Sequence, residues 1–144
     1  MAIEQQNSSA VGQKGGRTVD QQSSSSVKSI MAKYKTLIVW QKANELALNV
    51  YTLTETFPKK ETFGITSQIR RAVLSIPTNI VEGYGRRTKA ELSRFIDIAR
   101  GSLAETEYLL EFSKNLGYIK VDTTEIEKLT EEVGKLLWNF QKSL

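Results

Sequence analysis

The chain contains no histidine and no cysteine. The missing histidine removes the side chain best suited to proton transfer near neutral pH and to binding transition metals. The missing cysteine excludes disulfides and thiolate chemistry. No apolar run approaches the roughly 18 residues that a membrane-spanning helix needs. The first thirty residues are rich in Ser, Gln and Gly and have no apolar signal-peptide core, so a cytoplasmic protein is expected. Charge of one sign is also in short supply. Twenty basic against sixteen acidic side chains leave a net +4, which permits a nucleic-acid partner without demanding one. Alternation of period two, the mark of a half-buried strand, does not occur at useful length.

What is present is enough apolar side chain, 40% of 144 residues, for one small core. Residues 1–33 are polar, and their few apolar side chains do not recur with any period. Burial there cannot offset the entropy of ordering, so a disordered tail is expected, with Met31 as an alternative start. Residues 34–144 read as an all-α domain. Val39, Ala43, Leu46, Val50, Leu53 and Phe57 recur at three- and four-residue steps, drawing one stripe on a first helix that ends before Pro58. A second helix starts between Thr62 and Thr66 and points Ile69, Val73 and Ile76 inward. Pro77 should kink or break it, and Gly83 and Gly85 stop it. Thr88-x-x-Glu91 predicts a capping box opening the third helix, whose core face carries Leu92, Phe95, Ile96, Ala99, Leu103, Leu110 and Leu116 and which closes at Gly117. Asp122-x-x-Glu125 marks the start of a fourth, with Ile126, Leu129, Val133, Leu136, Leu137, Phe140 and Leu144 inside. Short connections favour an antiparallel up-down four-helix bundle.

Such a bundle raises the question of a di-iron site, which needs Glu-x-x-His pairs that this chain cannot supply. Glu107 and Glu111 are i,i+4 neighbours and read as a solvated acidic face. Ser75, Ser102 and Thr106 have no histidine base to activate them. Gly83-x-Gly85 lacks the third glycine and the strand of a dinucleotide fingerprint. The expectation is a protein with no catalytic residue, no metal and no cofactor, that is, not an enzyme.

Charge is polarised along the sequence. Residues 59–100 hold nine basic against four acidic side chains, a net +5, whereas 101–144 hold five against eight, a net −3. Six of those nine are arginine, which binds phosphate through a bidentate fork. Arg86, Arg87 and Lys89 flank the start of the third helix, where the dipole and unpaired backbone donors favour an anion. With Arg70 and Arg71 they form the candidate nucleic-acid-binding set. A competing reading joins Arg87–Glu91, Glu91–Arg94, Arg94–Asp97 and Asp97–Arg100 into an ordinary surface ladder of ion pairs. It leaves Arg70, Arg71 and Arg86 without partners of that kind. Trp40, Tyr51 and Trp138 lie off the core seams and are candidates for an oligomer interface. Gly101 and Gly134 sit inside helices, where close approach of a neighbouring helix would account for them.

The stretches YKTLIVWQKA, FPKKETFGITSQIRRA, SIPTNIVEGYGRRTKAELSRFIDIARGSLAETEYLL and LGYI resemble the four-helix bundle family named for proteins encoded in intervening sequences of 23S rRNA genes. The Ser-Ile-Pro-x-Asn-Ile-x-Glu-Gly-x-Gly-Arg run at 75–86 carries most of that resemblance. It implies a short antiparallel bundle that assembles into a ring, usually a pentamer. The chain is also similar to the accessory variability protein of diversity-generating retroelements, a basic pentameric barrel that binds nucleic acid and a reverse transcriptase. The expectation is a non-catalytic homo-oligomer that binds RNA or DNA backbone through Arg70, Arg71, Arg86, Arg87 and Lys89. The alternative is a protein–protein adaptor, for example a reverse-transcriptase accessory subunit, without direct nucleic-acid contact.

Overall fold

The computed structural model describes residues 33–144. The disordered tail expected over 1–33 and the start at Met31 fall outside it, except that Lys33 opens a 3-10 turn, Lys33–Thr36. Four helices follow: α1 (Ile38–Thr54), α2 (Ile65–Tyr84), α3 (Lys89–Asn115) and α4 (Thr124–Lys142). Among the described residues there is no strand. The apolar stripe of α1 is buried as its spacing predicts, from Val39 to Leu53, and Phe57 is buried just past its end. Ile69, Val73, Ile76 and Ile80 meet it from α2, Ile96, Ala99 and Leu103 from α3, and Leu129, Val133 and Leu137 from α4.

Helix α1 packs on α2 and α4, and α3 packs on the same two. Side-chain contacts set the directions. Arg70, near the start of α2, bonds to Thr54 at the end of α1. Gly83 at the end of α2 lies against Leu92 and Phe95 at the start of α3. Gln141 at the end of α4 bonds to Ser93 and Asp97 near the start of α3. Each neighbouring pair is therefore antiparallel, as short loops require.

Pro77 neither ends nor breaks α2, which runs unbroken through it. Proline withholds an N–H from the Val73 carbonyl, and beside the gap two side chains bond to the next carbonyls along. Thr78 Oγ1 donates to the Leu74 carbonyl at 2.8 Å, and Asn79 Nδ2 to the Ser75 carbonyl at 2.7 Å. Burial of the ring itself in the core works against that loss. Gly83 likewise belongs to the helix and is not part of the stop, which falls at Gly85. A Cβ on Gly83 would stand 2.7 Å from Phe95 Cβ, so glycine is there to let α2 and α3 touch.

Helix α3 opens with the predicted capping box. Thr88 Oγ1 accepts from Glu91 N at 3.2 Å, and the Glu91 carboxylate accepts from Thr88 N at 3.3 Å. Its far end closes in a Schellman motif, with Gly117 at φ +77°, Tyr118 N donating to the Ser113 carbonyl and Gly117 N to the Lys114 carbonyl. That turn leaves Leu116 exposed, not in the core as expected, and brings Tyr118 and Ile119 against the core in its place. The α4 start also differs from expectation. Asp122 does not pair with Glu125; it accepts from Thr124 N at 3.0 Å and from Thr124 Oγ1 at 2.6 Å. These hydrogen bonds hold the Asp122 carboxyl below the usual carboxylate range. Glu127, bonded by Lys114 and Thr123, is lowered for the same kind of reason.

Candidate nucleic-acid interface

The five basic residues singled out from the sequence do not form one patch. Arg70 and Arg71 lie in the second turn of α2, whereas Arg86, Arg87 and Lys89 surround its far end. Fourteen helical residues from Arg70 to Tyr84 correspond to about 20 Å. Their nearness in sequence, with a long helix between, puts them at opposite ends of the bundle.

Arg70 is moreover already engaged. Its Nε donates to Thr54 Oγ1 at 2.8 Å and its terminal nitrogen to the Tyr51 carbonyl at 3.2 Å, while the guanidinium lies 4.9 Å from the Tyr51 ring centroid. It secures the end of α1 by binding the Tyr51 carbonyl in the last turn, where helical carbonyls lack backbone partners, together with the Thr54 hydroxyl. The partner it lacked in sequence is sixteen residues away, not three or four.

Arg86, Arg87 and Lys89 are exposed in the loop and first turn between α2 and α3. The ion-pair ladder that would have neutralised this region is mostly unformed. Of its four rungs only Arg100–Asp97 is made, at 4.0 Å. Glu91 is occupied by Thr88 in the capping box, and Asp97 also accepts from Gln141 at 2.7 Å. Among the described residues, Arg71, Arg86, Arg87, Lys89 and Arg94 thus have no carboxylate within ion-pair distance. The Arg86 guanidinium rests 4.9 Å from the Phe95 ring centroid, a contact that leaves its charge uncompensated. Nothing among the described residues accepts from the N–H groups of Lys89 and Ala90, the first donors of α3. Arg86 and Arg94 line one shallow recess with Phe95 and the capping carboxylate of Glu91, and Arg87 and Lys89 lie exposed next to it in the chain. Arg94 was missed from the sequence because its neighbours Glu91 and Asp97 looked available. The capping box should have signalled that Glu91 was taken.

The three candidate interface aromatics differ in environment. Trp40 is half-buried and meets Tyr34 edge to face at 4.9 Å. Tyr51 is half-buried beneath Arg70. Trp138 is 50% exposed, with the Arg100 guanidinium 4.8 Å from its ring centroid. Beside it a Cβ on Gly134 would sit 3.4 Å from Leu103 Cδ2, so that glycine does accommodate a neighbouring helix, whereas Gly101 faces open space. Glu107 and Glu111 border a groove between α3 and α4 with Glu127 and Glu131, floored by Leu110, Ile126 and Thr130 and about 300 Å³ in volume. Among the described residues no cluster of acidic side chains has the spacing to hold a metal ion. No described helix is long and apolar enough to cross a membrane.

The model of the family described as 23S rRNA-intervening sequence protein matches residues 35–139, all four helices but for the last few residues of α4. The chain belongs to that family. The matched span takes in most of the bundle and both clusters of basic residues of this chain. A similar fold occurs in the crystal structure of a protein with unknown function from the S23 ribosomal protein family of Bacteroides thetaiotaomicron VPI-5482. The two are 30% identical with a TM-score of 0.66, and the match covers 73% of this chain and 96% of the other. Among curated proteins nothing matches.

Proposed function

We propose that this member of the family acts without catalysis, binding RNA or DNA backbone at the end of the bundle where α2 meets α3. Arg86, Arg87, Lys89 and Arg94 make the contacts; Arg70 does not. The observation that supports this most is that, among the described residues, none of those four cations has a carboxylate within ion-pair distance, because Glu91, which shares a recess with Arg86 and Arg94, is turned to Thr88 in the capping box. A phosphate here meets the guanidinium forks, not the helix end, where the Glu91 carboxylate already stands. Such binding is blind to sequence and steeply salt-dependent. Assembly of several copies, the homo-oligomer expected from the resemblance, would multiply one weak patch.

The test is a salt titration of RNA affinity. Replacing Arg86 and Arg87 with glutamine should flatten the slope of log K against log[salt] by roughly 1.4 to 1.8 per subunit contact, two phosphates' worth. An unchanged slope would refute the assignment. A second reading, a protein adaptor, is favoured by the α3–α4 groove, where Leu110 and Ile126 lie beside Glu107 and Glu111, two carboxylates without an ion pair among the described residues, an arrangement that suits a basic amphipathic helix. Glu107→Lys with Glu111→Lys should abolish binding of a basic helical peptide and spare RNA.

A further inference from the structure

Arg71 and Phe63 are not used by the site at the α2–α3 junction, and they stand together. Phe63 is 97% exposed, the most exposed large apolar side chain among the described residues. It precedes α2 and borders a recess of about 550 Å³ between α2 and α3. The recess is walled by Arg71 and by hydrogen-bonding side chains: Gln68, Ser75, Ser102 and Glu105. Ser102 Oγ donates to Ser75 Oγ at 3.0 Å, and Gln68 Nε2 to Glu105 at 3.4 Å. The carboxylate is thus held by the amide, and Arg71 keeps an unpaired charge. The head of α2 itself is closed to anions, because Glu61 already accepts from Ile65 N at 3.2 Å. A phosphate here would meet Arg71, not the helix end.

An aromatic face in water, a guanidinium beside it and a polar recess between suit one ligand chemistry, that of an unpaired nucleotide. The base stacks on the ring, the phosphate meets the guanidinium, and hydroxyl and amide groups meet the base edge or sugar. A duplex keeps its bases stacked inside and offers nothing to the ring. We propose that the recess between α2 and α3 binds single-stranded nucleic acid, with one unpaired base stacked on Phe63 and its phosphate held by Arg71. The proposal rests on the nucleic-acid reading for the rest of the strand. The two sites lie about 20 Å apart along α2, however, and can be separated by mutation.

The experiment measures affinity of the full chain for labelled oligouridine, oligothymidine and an RNA duplex of equal length. Phe63→Ala and Arg71→Gln should each weaken oligouridine binding, the former by roughly 5- to 150-fold, and leave the duplex unaffected. Equal loss for oligothymidine assigns recognition to base face and phosphate; loss confined to uridine adds a contact set by the sugar hydroxyl or by room that the thymine methyl would fill. Phe63→Trp should show fluorescence quenching by oligouridine beyond that of the wild type, whose own tryptophans are Trp40 and Trp138. The proposal is overturned if Phe63→Ala binds single strands like the wild type, or loses strand and duplex alike. It is also overturned if that variant changes only the assembly mass in light scattering, which would make Phe63 a contact between copies. Loss in Phe63→Ala with normal binding by the Arg86/Arg87 double variant would sink the junction reading and keep the recess. The opposite pattern would do the reverse, and a wild type that binds none of the three probes refutes both.

Discussion

Replacing Gly83 with alanine places a methyl carbon 2.7 Å from Phe95 Cβ and 2.9 Å from Leu92 Cδ1. The leucine methyl can rotate away. The phenylalanine Cβ is bonded to the α3 backbone, so α3 must retreat by about 0.7 Å to restore 3.4 Å. Alanine gains roughly 1 kcal/mol of helix propensity over glycine, against which overpacking of a well-filled contact costs roughly 1–3 kcal/mol. The clash should win, for a net loss of up to about 2 kcal/mol. Gly101 supplies the control, for a Cβ there meets nothing within 4 Å. Gly101→Ala should therefore stabilise by roughly 0.4–1 kcal/mol. Urea unfolding followed by circular dichroism at 222 nm reads both, and the opposite signs are the content of the prediction. A Gly83→Ala protein at least as stable as the wild type would refute the close approach of α2 and α3. A destabilised Gly101→Ala protein, with smaller mass in light scattering, would mean that another copy packs where this chain leaves open space.

Two further outcomes are expected. Arg70→Gln should lower stability by roughly 1–2 kcal/mol through loss of the bonds to Thr54 and Tyr51, with no change in the salt slope of RNA binding; a changed slope would return Arg70 to the interface. The Glu127 carboxyl is lowered chiefly by its hydrogen bond from Lys114 and next by Thr123. A depressed native pKa means that the charged form stabilises the fold above the unfolded value, about 4.3, and that this contribution disappears as pH falls through the native value. The stability gap between the wild type and Glu127→Gln should accordingly be widest near neutrality and narrow on acidification below about pH 4.3. A gap that stayed constant from pH 7 to pH 3 would refute the assignment.

Much of the bundle was legible in the residues because its information is local. Three- and four-residue spacing in α1 marks a buried stripe without reference to any other helix. The Thr88–Glu91 box and Gly117 mark helix ends through backbone chemistry within a few residues. Pro77 misled because its cost is local while burial of its ring in the core belongs to the tertiary structure. The candidate residues do not make one patch for a related reason. Arg70 and Arg86 are close in sequence charge but far apart on a rigid rod, and counting cations in a window cannot see that distance.

The amino-acid sequence alone determined four amphipathic helices, most of their boundaries, a core able to close them and a chain without histidine or thiol chemistry. These follow from periodicity, capping and composition, which act over a few residues. Only the tertiary structure decided which cations remain unpaired, since Arg70 finds its partner across a helix–helix contact and Glu91 is withdrawn into a cap. Charge availability depends on three-dimensional neighbours, and a linear chain does not state who they are.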